Sequence, residues 1–217
     1  MKYYSEADII HFFNALNKSA LNYILLRNIG NELPAELLIG KDIDLLIKKT
    51  DEEKFIALLT ELSFKQMPHP HQNDVFLYGI DRFEKYLNKV NGLMIDLNFQ
   101  LCVRSLDQGQ WIPLDMMIQE SAWNSKIFDT DSYAFPCWTL SVEDEFITLI
   151  ARSIFDKKDF SESYRSRINE LLPKVNLEEV ENKMSMVFFK YTPYLLDQVK
   201  KKEYNSIIKN YLAFTNY

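Results

Sequence analysis

The chain has 217 residues, 47% hydrophobic and 26% charged, with fifteen Phe and twelve Tyr against only five Gly and seven Pro, a composition that supports a large core and excludes a disordered chain. Its net charge of −6 gives no general attraction to phosphate backbones or anionic membranes, so nucleic acid is not an expected partner. The opening MKYYSEADIIHFF is broken by Glu6, Asp8 and His11, no later window reaches about 18 uninterrupted apolar residues, and Cys102 and Cys137 lack metal-ligand spacing and read as small apolar fillers; a cytoplasmic protein with no membrane segment is expected.

In chain order, Ser5 and Asp8 open an amphipathic helix that places Ile9, Ile10, Phe12, Phe13 and Leu16 on one broad face. NYILLRNI (22–29) is a short β-favouring run, NELPAELLIG is a Pro-punctuated connection ending at Gly40, and DIDLLIKK is a second strand. Asp51 is placed to cap a helix carrying Phe55, Ile56, Leu58, Leu59 and Leu62. NDVFLYGIDRF and GLMIDLNFQLCV read as two further strands separated by EKYLNKVN, and an irregular segment with Trp111, Trp123 and Trp138 follows. After about Thr139 the pattern becomes helical: Ser141 and Asp144 cap a helix with Phe146, Ile147, Leu149, Ile150 and Ile154, and Pro173 and Pro193 mark later boundaries. The fold class expected is α/β (α+β), with an α/β domain over 1–138 and a helical domain over 139–217 packed on it.

The chemistry concentrates in LLIGKDIDLLIKK. Residues i and i+2 of a strand share a face, so Asp42 and Asp44 project together while Ile43 faces the opposite layer. Two anions this close need a shared proton or a cation. Asp96, in the apolar run LMIDLNFQL, supplies a third carboxylate if its strand lies beside the first in suitable register. Hard oxygen ligands of this kind suit Mg²⁺ or Mn²⁺.

GKDIDLLI followed about fifty residues later by MIDLNF resembles the nucleotidyltransferase fold of the polymerase-beta superfamily. The resemblance covers roughly residues 22–103. YILLRNIGNELP and EDEFITLIARSIFDKKDF further resemble bacterial nucleotidyltransferase-like proteins associated with polysaccharide gene clusters. The superfamily carries a Gly-Ser turn upstream of its first aspartate; here Arg27 and Asn28 stand in that region, with thirteen residues between Asn28 and Asp42. The resemblance implies a mixed β-sheet core with a C-terminal helical region. It implies Mg²⁺ (or Mn²⁺) on Asp42, Asp44 and Asp96, these three acting as catalytic and metal residues, and a nucleoside triphosphate as substrate. Transfer of a nucleoside monophosphate to a hydroxyl on a small molecule, a sugar phosphate or a protein follows, with Arg27, Asn28 and Lys41 as nucleotide contacts. The alternatives are a catalytically degenerate nucleotidyltransferase-like binding module and the antitoxin half of a toxin–antitoxin pair.

Other features have plainer readings beside their functional ones. His69 and His71 form a possible metal or acid–base pair but sit in a Pro-rich connection without a third ligand. VKKKEYNSIIKNY reads as a solvated helix face, Arg165 and Arg167 alternate awkwardly for one face, Asp156 and Lys157 suit a helix end, and the tryptophans suit packing as well as an acceptor pocket.

Overall fold

The computed structural model describes residues 2–67, 84–106 and 111–216. The strand expected over 73–83 and the His69/His71 pair lie outside the described residues. The chain divides into two compact units, one formed by residues 1–101 and 126–140, the other by 102–125 and 141–217.

In the first unit, helices α1 (Glu6–Lys18) and α2 (Glu52–Glu61) bury the stripes their apolar spacing predicts: Ile9, Phe12, Phe13 and Leu16 from one, Phe55 and Leu59 from the other. Among the described residues seven strands make one mixed sheet. In chain order these are β1 (Tyr23–Leu25), β2 (Asp42–Ile47), β3 (Phe64–Met67), β4 (Glu84–Asn88), β5 (Met94–Asn98), β8 (Ile127–Asp129) and β9 (Cys137–Thr139), arranged across the sheet as β3-β4-β5-β2-β1-β9-β8. Ile43, Leu45 and Ile47 of β2 and Ile95 and Leu97 of β5 join the helical stripes in one core cluster. Each such side chain contributes about 1.5–3 kcal/mol by leaving water. The alternate residues of β2 and β5 therefore face away from that core.

Several details depart from the sequence reading. EKYLN, expected as a connection, is strand β4, because Tyr86 enters the core and the polar neighbours are satisfied: the Tyr86 hydroxyl donates to Glu84 (2.6 Å) and Asn88 Nδ2 to the Leu62 carbonyl (2.8 Å). GLMIDLNFQLCV is not one strand; β5 ends at Asn98, and Cys102–Arg104 forms β6, paired antiparallel with β7 (Trp111–Pro113) in the second unit. Ser5 and Asp51 occupy the helix-cap positions without capping through their side chains; Asp51 instead accepts from Asn22 Nδ2 at 2.9 Å.

The second unit also contains α3 (Met116–Asn124), where an irregular segment was expected, then α4 (Val142–Arg152), a π-helical turn at Ser153–Lys157, α5 (Glu162–Leu171), α6 (Leu177–Phe188), α7 (Thr192–Lys200) and α8 (Tyr204–Ala213). Ser141 caps α4 as its pairing with Asp144 predicts: its hydroxyl accepts from the Asp144 amide (3.2 Å). The Asp144 carboxylate is fully buried and accepts from Ser121 (3.0 Å), Ser125 (2.7 Å), Ser141 (3.1 Å) and Lys183 (2.9 Å). A buried charge is tolerated only with such a partner set. Among the described residues no helix is long and apolar enough to cross a membrane.

Candidate active site

β2 and β5 run parallel in a register that sets Asp44 directly beside Asp96, with Asp42 opposite Met94. Because Ile43, Leu45, Ile95 and Leu97 are committed to the helix-covered core, Asp42, Asp44 and Asp96 are all turned to the other face. On the far side of β5, the antiparallel pairing with β4 puts Lys85 opposite Asp96. On the far side of β2, the Leu26 amide donates to the Asp44 carbonyl (3.0 Å), which brings the next residue, Arg27, alongside the Asp44 side chain. Gly40, at φ +98°, turns the chain just ahead of β2 in a backbone conformation that favours glycine.

The three carboxylates are thus bracketed by two cations. Lys85 Nζ donates to Asp42 Oδ2 at 2.7 Å and stands 3.5 Å from Asp96 Oδ1. Arg27 forms a two-point ion pair with Asp44, its Nε donating to Oδ2 at 3.1 Å and its terminal nitrogen reaching Oδ1. Burial opposes ionisation of Asp42, but the hydrogen bond and charge of Lys85 hold its carboxyl below the usual carboxylate range. Asp96 behaves oppositely: burial, then the charges of Asp42 and Asp44, push it up to about 7. Burial would lower Lys85, yet the hydrogen bond it donates to Asp42 and the charges of Asp96 and Asp42 raise it above the ordinary lysine value. The two carboxyls are thus shifted in opposite directions, Asp42 held down by Lys85 and Asp96 raised by burial and its two anionic neighbours.

The structure brings together Asp42, Asp44, Asp96 and Arg27 of the residues singled out in the sequence. It engages the other two elsewhere: Asn28 Oδ1 accepts from the Leu33 amide (3.0 Å), organising the turn after β1, and Lys41 is ion-paired with Glu32. Lys85 was missed, since it lies in the stretch taken for a connection. Its only sequence signal is the alternation Glu-Lys-Tyr-Leu-Asn, which places Lys85 and Leu87 on the face opposite Tyr86. The remaining candidates have structural partners. Asp156 accepts from the Arg104 amide (2.7 Å) and from Arg152 (2.9 Å); Arg167 grips both oxygens of Glu145 at 2.7 Å, and Arg165 donates to Asn205 and to the Phe160 carbonyl. Trp111 stacks under Arg104, and Trp138 lies beneath Lys126 and beside Phe128. Cys137 is a core residue whose thiol burial pushes up to about 12, and Lys201 pairs with Asp197 on an exposed helix face.

Among the described residues no three Asp, Glu, His or Cys side chains are arranged as a ready-made ion cage; the carboxylates are turned to Lys85 and Arg27. The donor chemistry nevertheless fits a divalent cation. All three groups are hard oxygen donors on one sheet face, and among the described residues Asp96 Oδ1 is buried without a hydrogen-bond partner, Lys85 Nζ standing 3.5 Å away, an oxygen left with coordinating capacity.

No family model and no curated protein matches the chain. Among solved structures, the chain is similar to the antibiotic-resistance factor ANT(2'')-Ia, known from a solution structure, with a TM-score of 0.51 at 11% identity over 87% of this chain and 94% of that one. The mixed sheet and its helices form a nucleotidyltransferase-like α/β fold.

Proposed function

We propose that this protein is a cytoplasmic nucleotidyltransferase that works with Mg²⁺ or Mn²⁺ and moves a nucleoside monophosphate from a nucleoside triphosphate to a hydroxyl of a small molecule, a sugar phosphate or a protein. The observation that carries the reading is the in-register pairing of Asp44 with Asp96 on adjacent parallel strands, with Asp42 on the same face. Asp42, Asp44 and Asp96 would hold the divalent cation, which when bound neutralises triphosphate charge. Asp96 is suited to take a proton. Its carboxylate lies beside that of Asp44 on the face that would hold the cation, where an acceptor hydroxyl has to be deprotonated. The acceptor oxygen forms its bond to the α-phosphorus, the bond to pyrophosphate breaks, and the hydroxyl proton passes to an Asp96 carboxylate oxygen. Arg27, with a planar guanidinium on the Asp44 side of the cluster, is suited to gripping phosphate oxygens in place of the absent Gly-Ser turn.

Thermal denaturation with Mg²⁺ and each of the four common nucleoside triphosphates tests this. At a nucleotide concentration of about 100 Kd, stabilisation of about 2.7 kcal/mol, or about 5–10 °C in Tm, is expected for one of them. Asp44→Asn should abolish it. No shift with any of the four overturns the reading.

A further inference from the structure

The Lys85 ammonium stands among the carboxylates. It lies 2.7 Å from Asp42 Oδ2 and 3.5 Å from Asp96 Oδ1, bridging two of the three groups assigned to the cation. Its position is built into the sheet: β4 and β5 pair so that Lys85 is opposite Asp96, and Tyr86, buried in the core, fixes which face Lys85 takes. The Lys85 side chain is about a quarter exposed (24%), so one side of its stem borders solvent. The cluster therefore carries a counter-charge of its own, tethered to a neighbouring strand.

We infer that Lys85 is an internal competitor for the divalent cation: its ammonium neutralises Asp42 and Asp96 in the resting protein, and a metal ion takes these carboxylates only by displacing it. Two properties of lysine suit the role. An ammonium is a compact, strongly hydrated point charge that can be exchanged for another cation, and its flexible four-carbon stem lets the charge swing away without moving the strand. A Mg²⁺ or Mn²⁺ ion needs carboxylate oxygens in its inner shell, and an ammonium donating to Asp42 Oδ2 occupies one of them. Asp44 is differently placed, because Arg27 approaches it from the opposite side of the cluster. The metal position is consequently closed at the β4 side and opens when Lys85 leaves. This inference rests on the reading of the three aspartates as a cation site.

The test is a titration of Mn²⁺ alone, followed by the loss of the free-ion electron paramagnetic resonance signal, on the whole chain without nucleotide at pH 8. Lys85→Met and Lys85→Gln should bind Mn²⁺ about fivefold more tightly than the wild type, the change expected for losing one competing ion pair in a partly exposed site. Lys85→Arg, which keeps the charge, should bind no more tightly than wild type. Lys85→Gln keeps the polarity and most of the length, and it carries the test if Lys85→Met does not fold. Equal or weaker Mn²⁺ binding by the neutral variants overturns the inference, and so does an absence of Mn²⁺ binding in every variant. The nucleotide experiment separates the two ideas. If Mn²⁺ with triphosphate still stabilises the wild type, only the role of Lys85 falls; if it does not, the cation-site reading falls with it.

Discussion

Replacing Asp96 by Asn keeps the shape of the side chain and removes its charge, so the substitution isolates the electrostatic cost of placing a third carboxylate beside Asp42 and Asp44. In the folded protein the Asp96 carboxyl is pushed up to about 7, against about 3.9 in an unfolded chain. Between those values the folded state keeps a proton that the unfolded state has released. The contribution of this group to stability is therefore complete below about pH 4 and is lost as pH rises through about 7. A gap of about 3 units corresponds to a ceiling of about 4 kcal/mol. With the side chain one-quarter exposed (25%), screening by solvent brings the expected loss to about 2 kcal/mol. Asp42 has the opposite sign: held below the ordinary range, its contribution is present above about pH 4 and lost only under more acid conditions, so it is flat across pH 5–8. Lys85, raised above the ordinary lysine value, changes charge only in strong alkali. About three-fifths of the Asp96 loss falls between pH 5 and pH 8, so thermal denaturation of wild type and Asp96→Asn in metal-free buffer should show a Tm difference, variant minus wild type, that grows by about 3–5 °C across that range. Groups elsewhere titrate alike in both proteins and cancel. Parallel curves across this range would refute the reasoning.

The Arg27–Asp44 pair should show coupling in a double-mutant cycle: with both side chains about one-fifth exposed (20%), Arg27→Met strands a carboxylate and should cost about 1–2 kcal/mol, or about 3–6 °C in Tm, and most of that should vanish in the Asp44→Asn background. Additive losses would mean that the two groups do not interact in solution. In the second unit, Asp144→Ala leaves Lys183 and three serine hydroxyls without their common acceptor. A loss of about 3–5 kcal/mol in urea unfolding is expected, against about 1 kcal/mol for Ser125→Ala; similar, small effects of the two substitutions would contradict the view that this carboxylate organises the start of α4.

Much of the site was legible because charge in an apolar strand is conspicuous. Asp42 and Asp44 had to share a face, and Asp96 stood out in MIDLNF for the same reason. The expectation that Asp96 would join them depended on register, and nothing local sets register between strands separated by about fifty residues. Lys85 was hidden by the opposite effect. A lysine, a glutamate and an asparagine in five residues look like solvent-facing chain, and only the packing of Tyr86 and the hydrogen bonds of Glu84 and Asn88 make a strand of them. GLMIDLNFQLCV misleads in a related way, because its apolar alternation continues through a change of sheet between Asn98 and Cys102.

The sequence by itself determined the helical stripes of α1 and α2, the alternation that turns Asp42 and Asp44 away from the core, and the helix cap of Ser141. All of these are fixed by the period of a single element and by which side chains avoid water. Tertiary structure alone decided that Asp96 lies beside Asp44 and not one residue out of step. It also decided that Lys85 and Arg27 close the carboxylate cluster from its two sides. Those are distances between strands far apart in the chain, set by the combined packing of the whole sheet on its helices.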